Sequence, residues 1–334
     1  MKRVAVQLLA DSLGLSRVTV WKALNNREGV SPATAQRVRK AAEKMMQEDG
    51  AEEAAVSPVS SGNVTLLVSR ADTASFWMQM VDQVASEMHH KKLRLHYIPI
   101  DAMHLSISDL ETMLRPDHTD GLIIINIYDE TVIRFFQRLD IPKIYFDTTP
   151  GHRAEDLRGD LVLLAGQSPV HELTKELIET GCRQLGFIGD LCYAYTNILR
   201  WEGYCAAMRE SNLPVEERFC LTGPIGAESY QECIASFLDG LSEMPDAFVC
   251  VSDFVAFVTL SLLADRGYRV PEDVRLTGYD DSQDFMLDNH KISTVHVQNG
   301  LLGKRMVHQL LYRIDNPTAD FEEIFIYPKV LNKN

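Results

Sequence analysis

The spacing of apolar residues changes character twice along the chain. Over the first 46 residues it is helical. Val4–Asp11 reads as a first helix, with Leu9 and Ala10 on one face, and Leu13 and Leu15 flank Gly14 in a short turn. Ser16 caps a second helix, Ser16–Leu24, which buries Val20, Ala23 and Leu24. After the loop 25–30, Ser31-Pro32 supplies an N-cap and a first-turn proline for a third helix with the stripe Ala35, Val38, Ala42 and Met45. Ala10, Gly14 and Val20 stand at the spacing of a helix-turn-helix. A small residue lets the helices cross closely, a glycine permits the turn, and a β-branched residue packs the second helix on the first. An ordinary helical hairpin within a core is the bland alternative. Residues 47–62, QEDGAEEAAVSPVSSG, follow neither period and read as a linker.

From Asn63 short apolar runs alternate with amphipathic stretches. Strands are expected at 64–69, 93–100, 121–127, 143–147, 161–164, 184–190, 247–253 and 274–280. Helices are expected at 76–91, 108–114, 130–139, 170–180, 198–211, 230–241 and 255–266. Strands that are apolar on both faces and alternate with helices predict parallel sheets covered on each side. Two such series predict two similar lobes, with ligand bound beyond the carboxyl ends of the strands, in a cleft between them.

Composition narrows the functional classes. The chain has 334 residues and 46% hydrophobic content, enough for several packed domains. Its net charge is −14, yet residues 1–46 hold nine Lys and Arg against three Asp and Glu, a local charge of +6 that leaves −20 on the rest. A basic head on an acidic body confines phosphate attraction to the head, which points to double-stranded DNA. No apolar run spans a bilayer, and MKRVAVQLLADSLG is not a secretory signal, so a cytoplasmic location is expected. The six cysteines form no CxxC pair and are expected to be reduced, partly buried thiols. There is no P-loop, GxGxxG, GxSxG or metal-ligand spacing. Catalytic residues, a metal and a cofactor are therefore not expected.

The blocks VAVQLLADSLGLSRVTVWKALNN and VSPATAQRVRKAAEKM, followed in order by DGLIIIN, IPKIYFD, LIETGCRQLGFIGD, RWEGYCAAM, SDFVAF and GYRVPEDVRLTGYDD, resemble the LacI/GalR (lac repressor) family of transcriptional regulators over nearly the whole chain. The resemblance implies an all-α helix-turn-helix DNA-binding head (1–46), a hinge (47–62) and an α/β two-lobed periplasmic-binding-protein-like effector domain (63–334). It places the N-lobe at about 63–164 plus 297–324 and the C-lobe at about 165–295 plus 325–334, with chain crossings near 163–166, 294–299 and 323–327. It also implies a homodimer on a pseudo-palindromic operator, with DNA affinity tuned by a small effector in the cleft. No heptad extension follows the core, so a dimer rather than a coiled-coil tetramer is expected.

On the second helix, Arg17, Val18 and Lys22 match the family's base-reading positions. Arg17 suits guanine N7 and O6, and Val18 suits a thymine methyl. Ser16 and Thr19 suit phosphate at the helix N-terminus, with Asn25 and Arg27 adding backbone contacts. Trp21 departs from the family's small polar residue, and either packs across the helix edge or donates its indole N–H to phosphate. The hinge departs further. It lacks the family's Tyr-x-Pro-Asn run and its wedge leucine, and carries Glu48, Asp49, Glu52 and Glu53 with Val56 at the wedge position. A hinge of this composition is expected not to insert into the minor groove.

Effector positions by the same resemblance are Asp147, Arg200, Ser252, Asp253 and Asp280, with Phe76, Trp77 and Phe254 as stacking candidates. All but Arg200 lie at or near strand carboxyl ends, and Arg200 is expected to start a helix. Carboxylates paired with an arginine suit vicinal hydroxyls and favour a sugar. Asp147 and Asp280 are equally suited to bracing loops, and Phe76 to the core. Gly166, Cys182 and Ser252 replace the family's usual Asp, His and Asn or Asp, which leaves a non-sugar effector (a nucleobase, a phosphorylated metabolite or a protein cofactor) as the alternative. A solute-binding protein without a DNA role would lack the basic head.

Overall fold

The computed structural model describes residues 62–69, 75–100, 106–225, 229–285, 287 and 291–332, and in the N-terminal region residues 13, 15, 17–24, 30, 31, 34–38, 40 and 41. The chain divides into two compact units, Met1–Val59 and Ser60–Asn334.

The first unit contains helix α1 (Arg17–Leu24), and residues 34–38 are also helical. Val20, Ala23 and Val38 are fully buried, with Leu13, Leu15, Val30, Ala35 and Ala41 packed against them. Ser31 acts as the expected cap: its Oγ accepts from Thr34 N at 3.2 Å, and its carbonyl accepts from Ala35 N. Arg37, counted above only as part of the basic charge, donates Nη2 to the carbonyl of Leu13 at 2.7 Å. The first helix (Val4–Asp11), Leu24's side chain, the stripe residues Ala42 and Met45 and linker residues 47–61 lie outside the described residues.

The second unit holds two sheets built on one plan. The first is six-stranded and parallel throughout, with β1 (Asn63–Ser69), β2 (Arg94–Ile100), β3 (Gly121–Ile125), β4 (Lys143–Phe146), β5 (Asp160–Leu164) and β11 (Glu323–Ile326) in the order β11-β5-β4-β3-β1-β2. Every residue of β3, β4 and β5 is buried. The continuous apolar runs therefore do what their pattern demands of central strands covered on both faces. The edge strand β2 instead alternates toward solvent. Helices α2 (Ser75–His90), α3 (Ile107–Leu114), α4 (Glu130–Arg138) and the single turn α5 (Ala154–Leu157) belong to this lobe.

The second lobe carries α6 (Gln167–Glu179), β6 (Leu185–Ile188), α7 (Tyr195–Glu210), β7 (Cys220–Leu221), α8 (Tyr230–Asp239), β8 (Ala247–Cys250), α9 (Asp253–Asp265) and β9 (Arg275–Thr277). Its parallel sheet runs β7-β6-β8-β9. Counted from its own first strand, each sheet has the order 2-1-3-4, so each has a switch point beside that strand, and ligands bind at switch points. A small antiparallel pair, β10 (Thr294–His296) with β12 (Lys329–Leu331), brackets α10 (Asn299–Asp315), which packs on α2 in the first lobe. The chain thus passes between lobes between β5 and α6, between β10 and α10, and between β11 and β12.

Two helices start three residues earlier than expected. Helix α6 begins at Gln167 rather than 170, and α7 at Tyr195 rather than 198. Arg200 therefore does not open its helix but sits in its second turn. Helices α6 and α7 lie against each other at Gly203, where a Cβ would come within 2.2 Å of the Gln167 carbonyl. Strands β7 and β12 and helices α5 and α10 were not among the expected elements, whereas β10 and β11 fall at the expected crossings near 294–299 and 323–327.

A buried ion pair ties α10 to the first sheet. Arg313 and Asp160 are 2% and 0% exposed. Arg313 Nη2 donates to Asp160 Oδ1 at 2.6 Å and Nε to Oδ2 at 3.2 Å. Gln309 Nε2 and Glu322 N donate to the same carboxylate, and the guanidinium also reaches the carbonyls of Ala319 and Asp320. Every lone pair of the buried carboxylate that this network can reach is used, the condition under which a buried charge is tolerated.

Among the described residues no helix is long and apolar enough to cross a membrane, and no three His, Cys, Asp or Glu side chains converge to hold a metal ion. All six cysteines are free. Cys182 and Cys250 are buried, whereas Cys192 is exposed rather than partly buried.

Candidate functional site

The two switch points bring the site residues together. In the first lobe, β1 leads to α2, which opens with Phe76 and Trp77, and β3 leads to Asn126 and Tyr128. Asn126 donates Nδ2 to the Ser69 carbonyl at 2.8 Å, fixing the ends of β1 and β3 to each other. Phe76 is 8% exposed and packs edge-on against Trp77 at 4.9 Å, and Trp77 lies edge-on to Phe146 at 6.1 Å. Phe76 thus belongs largely to the core, while Trp77 remains half-exposed.

Asp147 follows β4 directly, in the left-handed region at φ 62°. It is buried and accepts from Thr148 N at 2.8 Å, Tyr128 Oη at 3.1 Å, Thr196 N at 3.3 Å and Thr196 Oγ1. Burial pushes its carboxyl pKa up, while the hydrogen bonds, Thr196's foremost, oppose the rise. Burial also raises the Tyr128 hydroxyl well above the usual phenol range, with the Asp147 charge adding to it.

Arg200, on α7, is 7% exposed. It donates Nη1 to the Val251 carbonyl, places its guanidinium 3.7 Å above the centre of the Tyr279 ring, and brings Nη2 to 4.0 Å from Asp280 Oδ1. Its Nε has no hydrogen-bond partner. Gly166 explains one departure from the family pattern. A Cβ there would lie 2.7 Å from Arg200 Cγ and 3.1 Å from its backbone nitrogen, so a larger residue would displace this arginine.

Asp280 closes the other side, with its N–H on the Val295 carbonyl. Burial pushes its carboxyl up to about 8, against the pull of Arg200 and with help from the charge of Asp253. In the folded chain Asp280 therefore holds a proton, between roughly pH 4 and 8, that the unfolded chain has lost. Native protons exceed unfolded ones across this window, so stability falls as pH rises through it. Urea unfolding at a series of pH values is expected to show that decline, on the order of a few kcal/mol, and Asp280→Asn is expected to flatten it.

Ser252 and Asp253 are spent on structure. Ser252 Oγ caps α9 by accepting from Val255 N at 3.2 Å. Asp253 is 1% exposed and accepts from Thr294 Oγ1 at 2.6 Å and Ser282 N at 2.8 Å, pinning α9 to the segment after β9. Phe254 is 43% exposed and shares an aromatic group with Tyr230 and Phe285, at 5.9 and 6.0 Å. Sequence reasoning passed over Tyr128 and Tyr193, whose rings meet at 4.4 Å, and Tyr230 and Tyr279. Their one available signal was position: each follows a strand or opens a helix at the carboxyl edge of a sheet.

Of the expected DNA-contacting residues, Arg17, Val18, Thr19, Trp21 and Lys22 all fall on α1, with Thr19 and Lys22 partly exposed. Ser16, Asn25 and Arg27 lie outside the described residues.

Residues 174–333 match the periplasmic binding protein-like domain family. The HTH-type transcriptional repressor PurR of Histophilus somni is 23% identical over 97% of this chain and 96% of its own length. The transcriptional regulator CelR in its cellobiose complex has the same fold, at TM-score 0.70 and 22% identity, over 99% of this chain and 100% of that one. The lac repressor dimer bound to operator and the anti-inducer ONPF gives 0.66 and 19% over 99% of each. The second unit is thus a two-lobed periplasmic-binding-protein-like domain, and the curated relatives that match along nearly the full length of the chain are named as transcriptional repressors. Along nearly its whole length the chain is similar to PurR-type repressors, and it shares the fold of LacI-family structures.

Proposed function

We propose that this repressor binds a pseudo-palindromic operator as a homodimer through helix-turn-helix heads, and that a small polar ring compound, a sugar in the first reading, binds between the lobes and alters operator affinity. The observation that carries the effector site is Arg200: a buried guanidinium with an unspent Nε, beside Asp280, where the carboxyl edges of both sheets meet. An arginine and a carboxyl group at one spot recognise vicinal hydroxyls. Trp77, Tyr193 and Phe254 provide faces for the ring to stack on. The sugar reading also draws on structural neighbours crystallised with cellobiose and ribose.

One observation favours a nucleobase instead. The carboxylates of Asp147 and Asp253 are already engaged by protein donors, which leaves Asp280 to serve the ligand. A protonated Asp280 both donates and accepts, as the edge of a heterocyclic base requires. The curated PurR relatives fit the same reading. A thermal-shift screen of sugars against purines separates the two. A rise in melting temperature with sugars alone supports the first, and a rise with purines alone overturns it.

On the DNA side, Arg17 is the proposed guanine reader and Lys22 a second base contact, with Ser16, Thr19, Asn25 and Arg27 on phosphate. Arg17→Ala is expected to lose about 1–3 kcal/mol on the selected operator and to relax one base position. Binding-site selection with the purified variant checks this, and an equal loss on all sequences would mean that Arg17 only holds phosphate.

A further inference from the structure

Helix α7 starts without a cap of its own. Its N-cap residue is Ala194, which has no side-chain acceptor. The first amides of a helix have no partner within it and must find one elsewhere. Here both come from the other lobe. Tyr195 N donates to the Thr148 carbonyl at 2.7 Å, and Thr196 N donates to Asp147 Oδ1 at 3.3 Å. Thr196 Oγ1 adds a bond to Asp147 Oδ2. Asp147 and Thr148 follow β4 in the first lobe, whereas α7 lies in the second.

The acceptor is prepared for this. Asp147 is held at φ 62°, a conformation that costs a non-glycine residue energy, and Thr148 N and Tyr128 Oη hold its carboxylate from the first lobe's side. Asp147, Thr148 and Thr196 are 5%, 1% and 5% exposed, so no water stands in for these bonds while the lobes are together. Two further contacts lie beside them: the Arg153 guanidinium 5.2 Å over the Tyr195 ring, and the Tyr128–Tyr193 ring pair.

We propose that Asp147 is an inter-lobe helix cap, a positioning residue that holds the two lobes together. Opening the lobes uncovers the first turn of α7 and strands its amides, so opening carries the cost of these bonds. Because α7 also carries Arg200, the same cap sets the register of the residue assigned to the effector. The inference rests on the two-lobed sensor reading, and its test uses neither DNA nor effector, so the two stand or fall separately.

The test is hydrogen exchange on the full chain, wild type against Asp147→Ala, read at two neighbouring amides. The substitution removes the acceptor of Thr196 N but leaves that of Tyr195 N, the Thr148 carbonyl, in place. If Asp147 holds the lobes together, both amides exchange about tenfold faster or more, the effect of losing a hydrogen bond to a charged group. If Asp147 is only a local brace, Tyr195 N keeps its wild-type protection, which overturns the proposal. Adding Ala194→Ser gives α7 an acceptor from its own lobe. It is expected to recover the melting temperature lost in Asp147→Ala while Tyr195 N stays unprotected. Recovery of both would show that the helix needed only a cap and not closure, and would equally overturn the proposal. Should Asp147→Ala not fold, Thr196→Val removes the Oγ1 bond with little change in shape and is read at the same Tyr195 amide: faster exchange supports the proposal and wild-type protection overturns it.

Discussion

Arg313→Leu is expected to destabilise the two-lobed unit by about 3–5 kcal/mol, the largest effect of any single change considered. The leucine fills part of the space but leaves Asp160, 0% exposed, with a carboxylate whose principal counter-charge is gone. Gln309 and the Glu322 amide remain as donors, and neither carries charge. The carbonyls of Ala319 and Asp320 lose their donor as well, which frees the turn before β11. The loss is measured as a shift in urea midpoint followed by tryptophan fluorescence. The double variant Arg313→Leu with Asp160→Leu is expected to be more stable than Arg313→Leu alone, because the cost lies in the stranded charge and not in the missing attraction. A single variant that unfolds at the wild-type midpoint would show that water reaches Asp160 in solution.

The second large effect falls on ligand response. Arg200→Lys keeps the charge but loses the planar fork, the stacking on Tyr279 and the Nε that has no partner in the protein. With whichever compound raises the melting temperature of the wild type, affinity is expected to fall at least about 30-fold, the equivalent of roughly 2 kcal/mol for losing a hydrogen bond to a charged group. Operator binding without effector is expected to be unchanged. Calorimetric titration and a DNA mobility assay read the two separately. A variant that titrates like the wild type would remove Arg200 from the site.

What the sequence made legible follows from where the information lies. The first-lobe strands were readable because β1, β3, β4 and β5 are buried on both faces, so their own residues announce them. β7, β10 and β12 are two or three residues long and exist only through their partners. Helices α6 and α7 were read three residues late for a related reason. Their first turns, Gln-Ser-Pro and Tyr-Thr-Asn, lack apolar spacing, and the cap of α7 stands some fifty positions earlier in the chain, in the other lobe. Local pattern cannot contain that.

The site divides in the same way. Asp147, Arg200 and Asp280 came from family resemblance, and all three meet where the lobes face each other. Asp253 matched the family position, and Ser252 stands where the family has Asn or Asp, yet they act as brace and cap, because a motif records residue type and not which hydrogen bonds are already taken. Tyr128, Tyr193 and Tyr230 carry no motif at all. Only the fold gathers them.

The three passages of the chain between the lobes lie side by side. Ala165 N bonds to the Ile326 carbonyl, β10 pairs with β12, and the Tyr279 hydroxyl, from the end of β9, reaches Ala165. Three cords tied at one place leave little room for sliding and make rotation about that place the easy motion. Such an arrangement works as a lever. A small angle at the cords becomes a displacement that grows in proportion to distance from them, so a ligand that shifts the cleft by little moves the far ends of the lobes by more.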